Sequence, residues 1–257
     1  MLIKEHISAL EGMKKYPQKL HYKGNLELLN KTKISIVGSR KPSKYSRLIT
    51  QKLASLLSKH GICVVSGGAM GIDAIAHKGA GEQNTIAVLP CGIDIRYPAI
   101  NKNLLADIEQ KGLLLSQFDD GFRSTPWSFV VRNELVVALG DVLVVAEAEL
   151  DSGSMRSIEI AQKMGKDIYV FAHRIGESDA TNELLKHSQA KAIYDLDEFI
   201  SIFSSDIPDR VSKDDDFITF CKTNPTYEEA IKKFPTRVFE AELSGEITIQ
   251  NSKVLYN

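Results

Sequence analysis

The sequence predicts an α/β protein built on a parallel sheet with helices on both faces. Two observations carry this. Short apolar runs rich in β-branched residues alternate with longer segments of helical periodicity, the rhythm of strand–helix–strand units. The short runs are apolar almost throughout, as strands covered on both faces are.

The elements follow in order. Residues 1–32 read as a lead-in, with Tyr16-Pro17-Gln18-Lys19-Leu20 and Tyr22-Lys23-Gly24-Asn25 forming an extended strap that ends in a turn. Lys33–Val37 is the first strand, stopped by Gly38-Ser39-Arg40-Lys41-Pro42-Ser43. A helix from about Tyr45 to His60 carries Leu48, Ile49, Leu53, Leu56 and Leu57 at helical spacing, and Gly61 suits its C-cap. Ile62–Val65 is a strand, Ile72–Ala80 a helix and Thr85–Leu89 a strand ending at Pro90-Cys91-Gly92. A helix over Asn101–Lys111 stops at Gly112, and Leu113–Leu115 is the next strand. A polar loop covers Gln117–Pro126, and Phe129–Leu139 is an apolar helix. Strands Val142–Ala146 and Asp167–Phe171 flank a helix over Met155–Met164. Shorter helical patterns cover Asn182–Ser188 and Leu196–Phe203.

Residues 33–203 thus make the main domain. Residues 204–216 are polar and acidic and read as a linker. Residues 217–257 read as a small module of three short helices and a hairpin around Asn251-Ser252, the pattern of a winged helix.

Composition narrows the function. The 257 residues are 43% hydrophobic and 25% charged with a net charge of −1, which excludes a globally basic nucleic-acid binder but not a local basic groove. Cys63, Cys91 and Cys221 lie far apart and read as reduced thiols of a cytoplasmic protein. No signal-peptide core and no run long enough to span a bilayer is visible. Spacing for a metal site around His60, His77, His173 and His187 is absent, and no cofactor is expected.

The stretch Cys63–Asp73 carries the strongest chemical signal. A strand ends at Val65, Ser66, Gly67, Gly68, Ala69 and Gly71 form the turn, and a helix opens at Ile72. Glycines allow a sharp turn and close approach of a ligand, and the helix dipole favours an anion there. A purely structural turn is the competing reading. Gly38–Ser43, Pro90–Gly92 and Asp151–Ser154 also follow strands, so all four turns share the carboxyl edge of the sheet, where ligands of such sheets bind.

Arg40, Lys41, Lys44 and Arg47 place four bases after the first strand with no acid among them. Arg40 stands where it could fork a phosphate held at the Ser66–Gly71 turn. Phe129, Arg132 and Asn133 bring a ring, a guanidinium and an amide together, suited to a stacked base and its backbone. The competing reading, which the sequence alone favours, buries Phe129 in the core and pairs Arg132 with Glu134. Ser152 and Gly153 can cap a helix or offer N–H groups at the same edge, and Lys163 either complements that helix's dipole or extends a basic surface. Asp73 is the only acid beside the glycine turn and no partner for it is evident.

In that order, Ile36-Val37-Gly38-Ser39-Arg40, Ser66-Gly67-Gly68-Ala69-Met70-Gly71-Ile72-Asp73-Ala74, Thr85–Leu89, Gly92-Ile93-Asp94 with Tyr97-Pro98, Phe129-x-x-Arg132-Asn133 and Ser152-Gly153-Ser154 resemble the DNA-processing protein A family (DprA, also called Smf) over roughly residues 15–202. The resemblance implies an extended Rossmann-like domain with a mostly parallel sheet. It implies a dimeric, non-catalytic protein that binds single-stranded DNA, protects it, and loads the RecA recombinase onto it in natural transformation. It places Gly38, Ser39, Arg40, Ser66, Gly67, Gly68, Ala69 and Gly71 in a phosphate pocket, and Phe129, Arg132 and Asn133 along the DNA path. Many members read Arg-Asn-Arg where this chain has Glu134, and Pro where it has Val130. The C-terminal module resembles the winged-helix domain of some members. Its five bases and five acids, with Glu240 and Glu242 on the presumed recognition helix, favour a protein partner over DNA. The alternative reading of the whole chain is a hydrolase of nucleoside monophosphates on a related fold, with Asp73 as its acid.

Overall fold

The computed structural model describes residues 1–204, 216–243, 247–250 and 252–256. Two compact units divide the chain, Met1–Ser204 and Ser205–Asn257.

The first unit is built on one eight-stranded sheet. Its strands are β1 (His21–Gly24), β2 (Lys33–Val37), β3 (Cys63–Ser66), β4 (Thr85–Leu89), β5 (Leu113–Ser116), β6 (Val142–Val145), β7 (Ile168–Phe171) and β8 (Lys191–Ile193). They lie in the order β1-β5-β4-β3-β2-β6-β7-β8. Every neighbouring pair is parallel except β1 with β5. The order reverses direction at β2 and β6, and such a reversal opens a crevice at the carboxyl ends of the strands.

Helices α1 (Lys44–Lys59), α2 (Ile72–Ala80), α3 (Lys102–Lys111), α4 (Pro126–Leu139), α5 (Gly153–Lys163), α6 (Asp179–Lys186) and α7 (Leu196–Ser204) cover both faces. The alternation of strand side chains sorts the core into two layers. Ile34, Ile36, Val64 and Val144 pack with Leu53 and Leu57 of α1, Ile72 of α2 and Phe199 of α7. Val37, Val65, Val145 and Leu115 pack instead with α4 and α5. The second half of α4, Leu135–Leu139, is buried without exception. At about 1.5–3 kcal/mol for each large side chain taken fully out of water, this half anchors the helix firmly. Its first half then projects toward the carboxyl edge, which sets the positions of Phe129 and Arg132.

Three local expectations change. The strap at Tyr22–Asn25 is an edge strand, β1, antiparallel to β5 with Tyr22 opposite Leu115. The strand β8 was not expected; its three residues are too few for a periodicity to show. Helix α4 begins at Pro126, not Phe129. Thr125 accepts from the Ser128 N–H and Ser128 Oγ accepts from the Thr125 N–H, closing a capping box with Pro126 in the first turn.

The second unit contains α8 (Asp216–Cys221), α9 (Tyr227–Lys233), α10 (Pro235–Leu243) and a hairpin of β9 (Ile247–Gln250) with β10 (Lys253–Tyr256). Phe217, Cys221, Ala230, Val238, Ile247 and Val254 form its core. The expected linker between Ser204 and Asp216 lies outside the described residues, as does Asn251 of the expected turn.

Candidate nucleic-acid interface

Four chain segments converge on a cleft at the carboxyl edge. Arg40 comes from the turn after β2; Gly67, Ala69 and Met70 come from the turn after β3. Pro90, Tyr97 and Pro98 follow β4, and Phe129 and Arg132 come from the first half of α4. The cleft encloses about 310 Å³, part of it open to solvent.

The Phe129 ring is its centre. The guanidinium carbon of Arg40 lies 5.4 Å from the ring centroid and that of Arg132 lies 5.8 Å away. The Tyr97 ring meets Phe129 edge-on, with centroids 5.9 Å apart. Phe129 is half-buried and lines the cleft, which corrects the reading that consigned it to the core. Arg40 is exposed and has no carboxylate partner among the described residues, so its charge is available to a ligand.

Arg132 is different. It is 6% exposed and its Nη1 donates to Asp73 Oδ2 at 3.4 Å, with Asp73 itself 5% exposed. This corrects two expectations: Arg132 does not pair with Glu134, and Asp73 has a partner. Glu134 instead accepts the Lys14 backbone N–H at 2.7 Å. Burial pulls the Arg132 guanidinium below its ordinary pKa, and the Asp73 carboxylate opposes that pull. A Cβ on Gly67 would overlap the Arg132 guanidinium, so only glycine lets the turn close on this ion pair.

The glycine turn is held from both sides. Asp73 Oδ2 accepts the Ala69 N–H at 3.3 Å, so that N–H is committed inside the protein. Asn101 Nδ2 donates to the Gly68 and Ala69 carbonyls at 2.9 and 3.0 Å. At Gly71, φ is +78°, in the region that favours glycine, and a Cβ there would strike the Ser39 carbonyl oxygen. The Ile72 N–H donates to that same oxygen at 3.1 Å, joining the two anion-type turns.

Glu147, beyond β6, fixes the Arg40 turn. Its backbone carbonyl accepts the Ser39 N–H at 2.8 Å, and its Oε2 accepts the Ser43 N–H at 2.9 Å. Burial works against the Glu147 carboxylate, but donors from Ser46 and Ser43 outweigh it and hold its pKa below the ordinary value. Away from the cleft, the His77 ring on α2 is fully buried with Nδ1 2.7 Å from Thr85 Oγ1 at the start of β4. Burial, helped by the Arg132 charge, pushes its pKa down to about 3.

Of the residues expected at the site, Arg40, Gly67, Ala69, Phe129 and Arg132 meet in the cleft. Gly38, Ser39, Ser66, Gly68 and Gly71 shape the two turns behind it. Lys41 is exposed beside Arg40, its N–H donating to Ser39 Oγ. Asn133, Ser152 and Gly153 do not line the cleft. Ser152 precedes α5 without making a side-chain cap bond. Lys163 ends α5, roughly 15 Å along the axis from the residues that face the carboxyl edge. Sequence reasoning placed the Ser66–Gly71 and Pro90–Gly92 turns at this edge but did not single out Met70, Pro90, Tyr97 or Pro98 as cleft walls, nor Asn101 as a clamp. Tyr97-Pro98 stood in the motif set, but nothing in its spacing pointed to a cleft.

Comparisons with known proteins bear on the family and the fold. The family model of DNA recombination-mediator protein A matches residues 3–204. The DNA processing protein DprA of Streptococcus pneumoniae is 37% identical over 174 residues, 66% of this chain and 61% of the relative. The chain thus spans about three fifths of that relative's length. The solved structure of DNA processing protein A from Helicobacter pylori, described for its single-stranded DNA binding mode, superposes with a TM-score of 0.77 at 40% identity. That match covers 79% of this chain and 94% of the other. The structure of the Streptococcus pneumoniae protein superposes with a TM-score of 0.72 at 34% identity, covering 77% of this chain and 71% of that one. The match over residues 3–204, together with the shared fold, places the chain in the DNA recombination-mediator protein A family.

Proposed function

We propose that this chain binds single-stranded DNA across the carboxyl-edge cleft, shields the strand, and loads the RecA recombinase onto it during natural transformation. One observation carries the reading: an aromatic ring with a guanidinium over it that has no carboxylate partner among the described residues, in a cleft at the sheet edge where ligands of this fold bind. A base stacks on Phe129 and Arg40 takes the adjoining phosphate, a combination tolerant of sequence. The single-stranded DNA binding mode described for the Helicobacter pylori relative supports it.

In this reading Gly38, Ser39, Ser66, Gly68 and Gly71 hold the turns, and Asp73 and Arg132 keep the cleft in shape. The protein works as a cytoplasmic homodimer without catalysis, and the C-terminal module, read as a winged helix, serves a protein partner. No helix among the described residues is long and apolar enough to cross a membrane. The hydrolase reading loses its acid, because the Asp73 carboxylate is buried against Arg132 and the Ala69 N–H.

The test compares single-stranded and duplex oligonucleotides for binding and nuclease protection, then follows RecA filament growth on the bound strand. Preferential protection of single strands and faster filament growth support the proposal. Equal affinity for duplex, or slower filament growth, contradicts it.

A further inference from the structure

We infer that the groove beside Trp127 is a second nucleotide subsite, taking a base of the strand after it leaves Phe129. The inference rests on the single-stranded DNA reading above.

Trp127 is the chain's only tryptophan, and it is 63% exposed, unusual for so large an apolar side chain. It is not loosely placed. Its ring meets Phe118 edge-to-face at 5.9 Å, and Phe118 is stacked on Phe122 at 4.6 Å with the planes 10° apart. The contact with Phe118 fixes the indole on one side and leaves the rest open, a geometry that suits a stacking platform.

The groove it faces is open and spans about 1050 Å³, open solvent included. Lys15, Gln18 and Lys19 line it together with Trp127. Two acids also line it: Asp119 is ion-paired, and Glu134 is held by a backbone N–H. Asp119 accepts from Lys19 Nζ at 2.8 Å and lies 3.1 Å from the His21 ring nitrogen, and Glu134 takes the Lys14 N–H. Lys15 is the lining cation without a carboxylate partner among the described residues and is the group here that a phosphate meets, although the Glu134 carboxylate keeps its charge in the same groove.

Continuity with the first cleft decides the occupant. Phe129 lines one cavity and Trp127 the other, and they stand two residues apart in the first turn of α4. At about 100° per residue the two side chains leave opposite sides of the helix. A strand whose base stacks on Phe129 therefore crosses the start of α4 and delivers a following base to Trp127. A π-face accepts any base, so the second subsite keeps the first one's indifference to sequence. A protein partner is the other class of occupant, and the experiment separates the two.

The single tryptophan is its own reporter. The intact protein is titrated with oligothymidylates of roughly four and roughly sixteen nucleotides. Indole emission is followed, and binding is read separately by anisotropy of a labelled strand. The short strand binds with little change in emission, whereas the long strand binds and quenches it. Trp127→Ala weakens the long strand about five- to a hundred-fold and leaves the short one unchanged, and Trp127→Phe restores most of the loss. Long-strand binding with unaltered emission, or Trp127→Ala binding the long strand like the parent, overturns the subsite and leaves the groove to a protein partner. Absence of binding at any length overturns the single-stranded DNA reading itself, and the subsite with it.

Discussion

The Nη1 of Arg132 sits 3.4 Å from Oδ2 of Asp73, both side chains buried, with Gly67 closed against the guanidinium. The pair joins α4 to the start of α2 and so ties the ring of Phe129 to the glycine turn. A buried pair of this kind contributes less through its own attraction than through what happens when one member is removed. Asp73→Asn leaves Arg132 charged and unpaired in the interior and destabilises the fold by about 3–5 kcal/mol. Denaturant unfolding checks this. The double variant Asp73→Asn with Arg132→Met is expected to be more stable than Asp73→Asn alone, since it removes the stranded charge.

Gly67 is a second sensitive point. Gly67→Ala forces the buried guanidinium aside and costs about 1–3 kcal/mol, the usual range for overpacking. Gly153 offers the control, because a Cβ there meets nothing within 4 Å. Gly153→Ala is neutral or stabilising by up to about 1 kcal/mol. Thermal unfolding of the two variants distinguishes them.

His77 gives the protein a pH-dependent stability. Its folded pKa is depressed to about 3 from an ordinary 6.5. Between these values the unfolded chain binds a proton that the folded chain refuses. Stability is therefore full above pH 6.5 and falls as the pH drops, by about 1.4 kcal/mol per unit from this group. Urea unfolding between neutral pH and about pH 5 reads that slope, and His77→Gln flattens it. Glu147 adds to the acid loss at lower pH. Its depressed carboxyl contributes stability above the ordinary carboxylate value, and that contribution goes as the pH falls through the folded one.

Much of this was legible in the sequence. The strands β2 to β7 announce themselves by apolar runs, and the turns after them by Gly38, Gly67, Gly71 and Gly92. Arg40 was legible as a cation at the carboxyl edge, whereas the sequence alone favoured Phe129 in the core, because an apolar helix does not show which of its turns meets the cleft. The Asp73–Arg132 pair was not, because 59 residues separate the partners and only the fold brings them together. The early start of α4 was hidden by Pro126, which reads as a loop residue until the capping box of Thr125 and Ser128 is seen. The short edge strands β1 and β8 escaped because the sheet, not their own composition, makes them strands. The cleft role of Tyr97 and the clamp of Asn101 were not legible, since both depend on the path of the loop after β4.

The cleft ring and a lysine distant from the cleft separate cleanly. Phe129→Ala removes the stacking surface and weakens single-stranded DNA binding by about 1–3 kcal/mol. Lys163→Ala, at the far end of α5, leaves affinity within about threefold of the parent, below about 1 kcal/mol. Titration of the same labelled oligonucleotide against both variants gives the comparison.

The central claim is that Arg40 and the Phe129 cleft hold a single strand by its backbone and bases. The most direct measurement is anisotropy of a labelled single strand against the parent and Arg40→Ala over a salt series. The account predicts weaker binding by Arg40→Ala for every sequence tried. The slope of log affinity against log salt falls by about 0.7, because one phosphate of the strand is no longer neutralised. An unchanged affinity and slope in Arg40→Ala would contradict it and place the strand elsewhere on the protein.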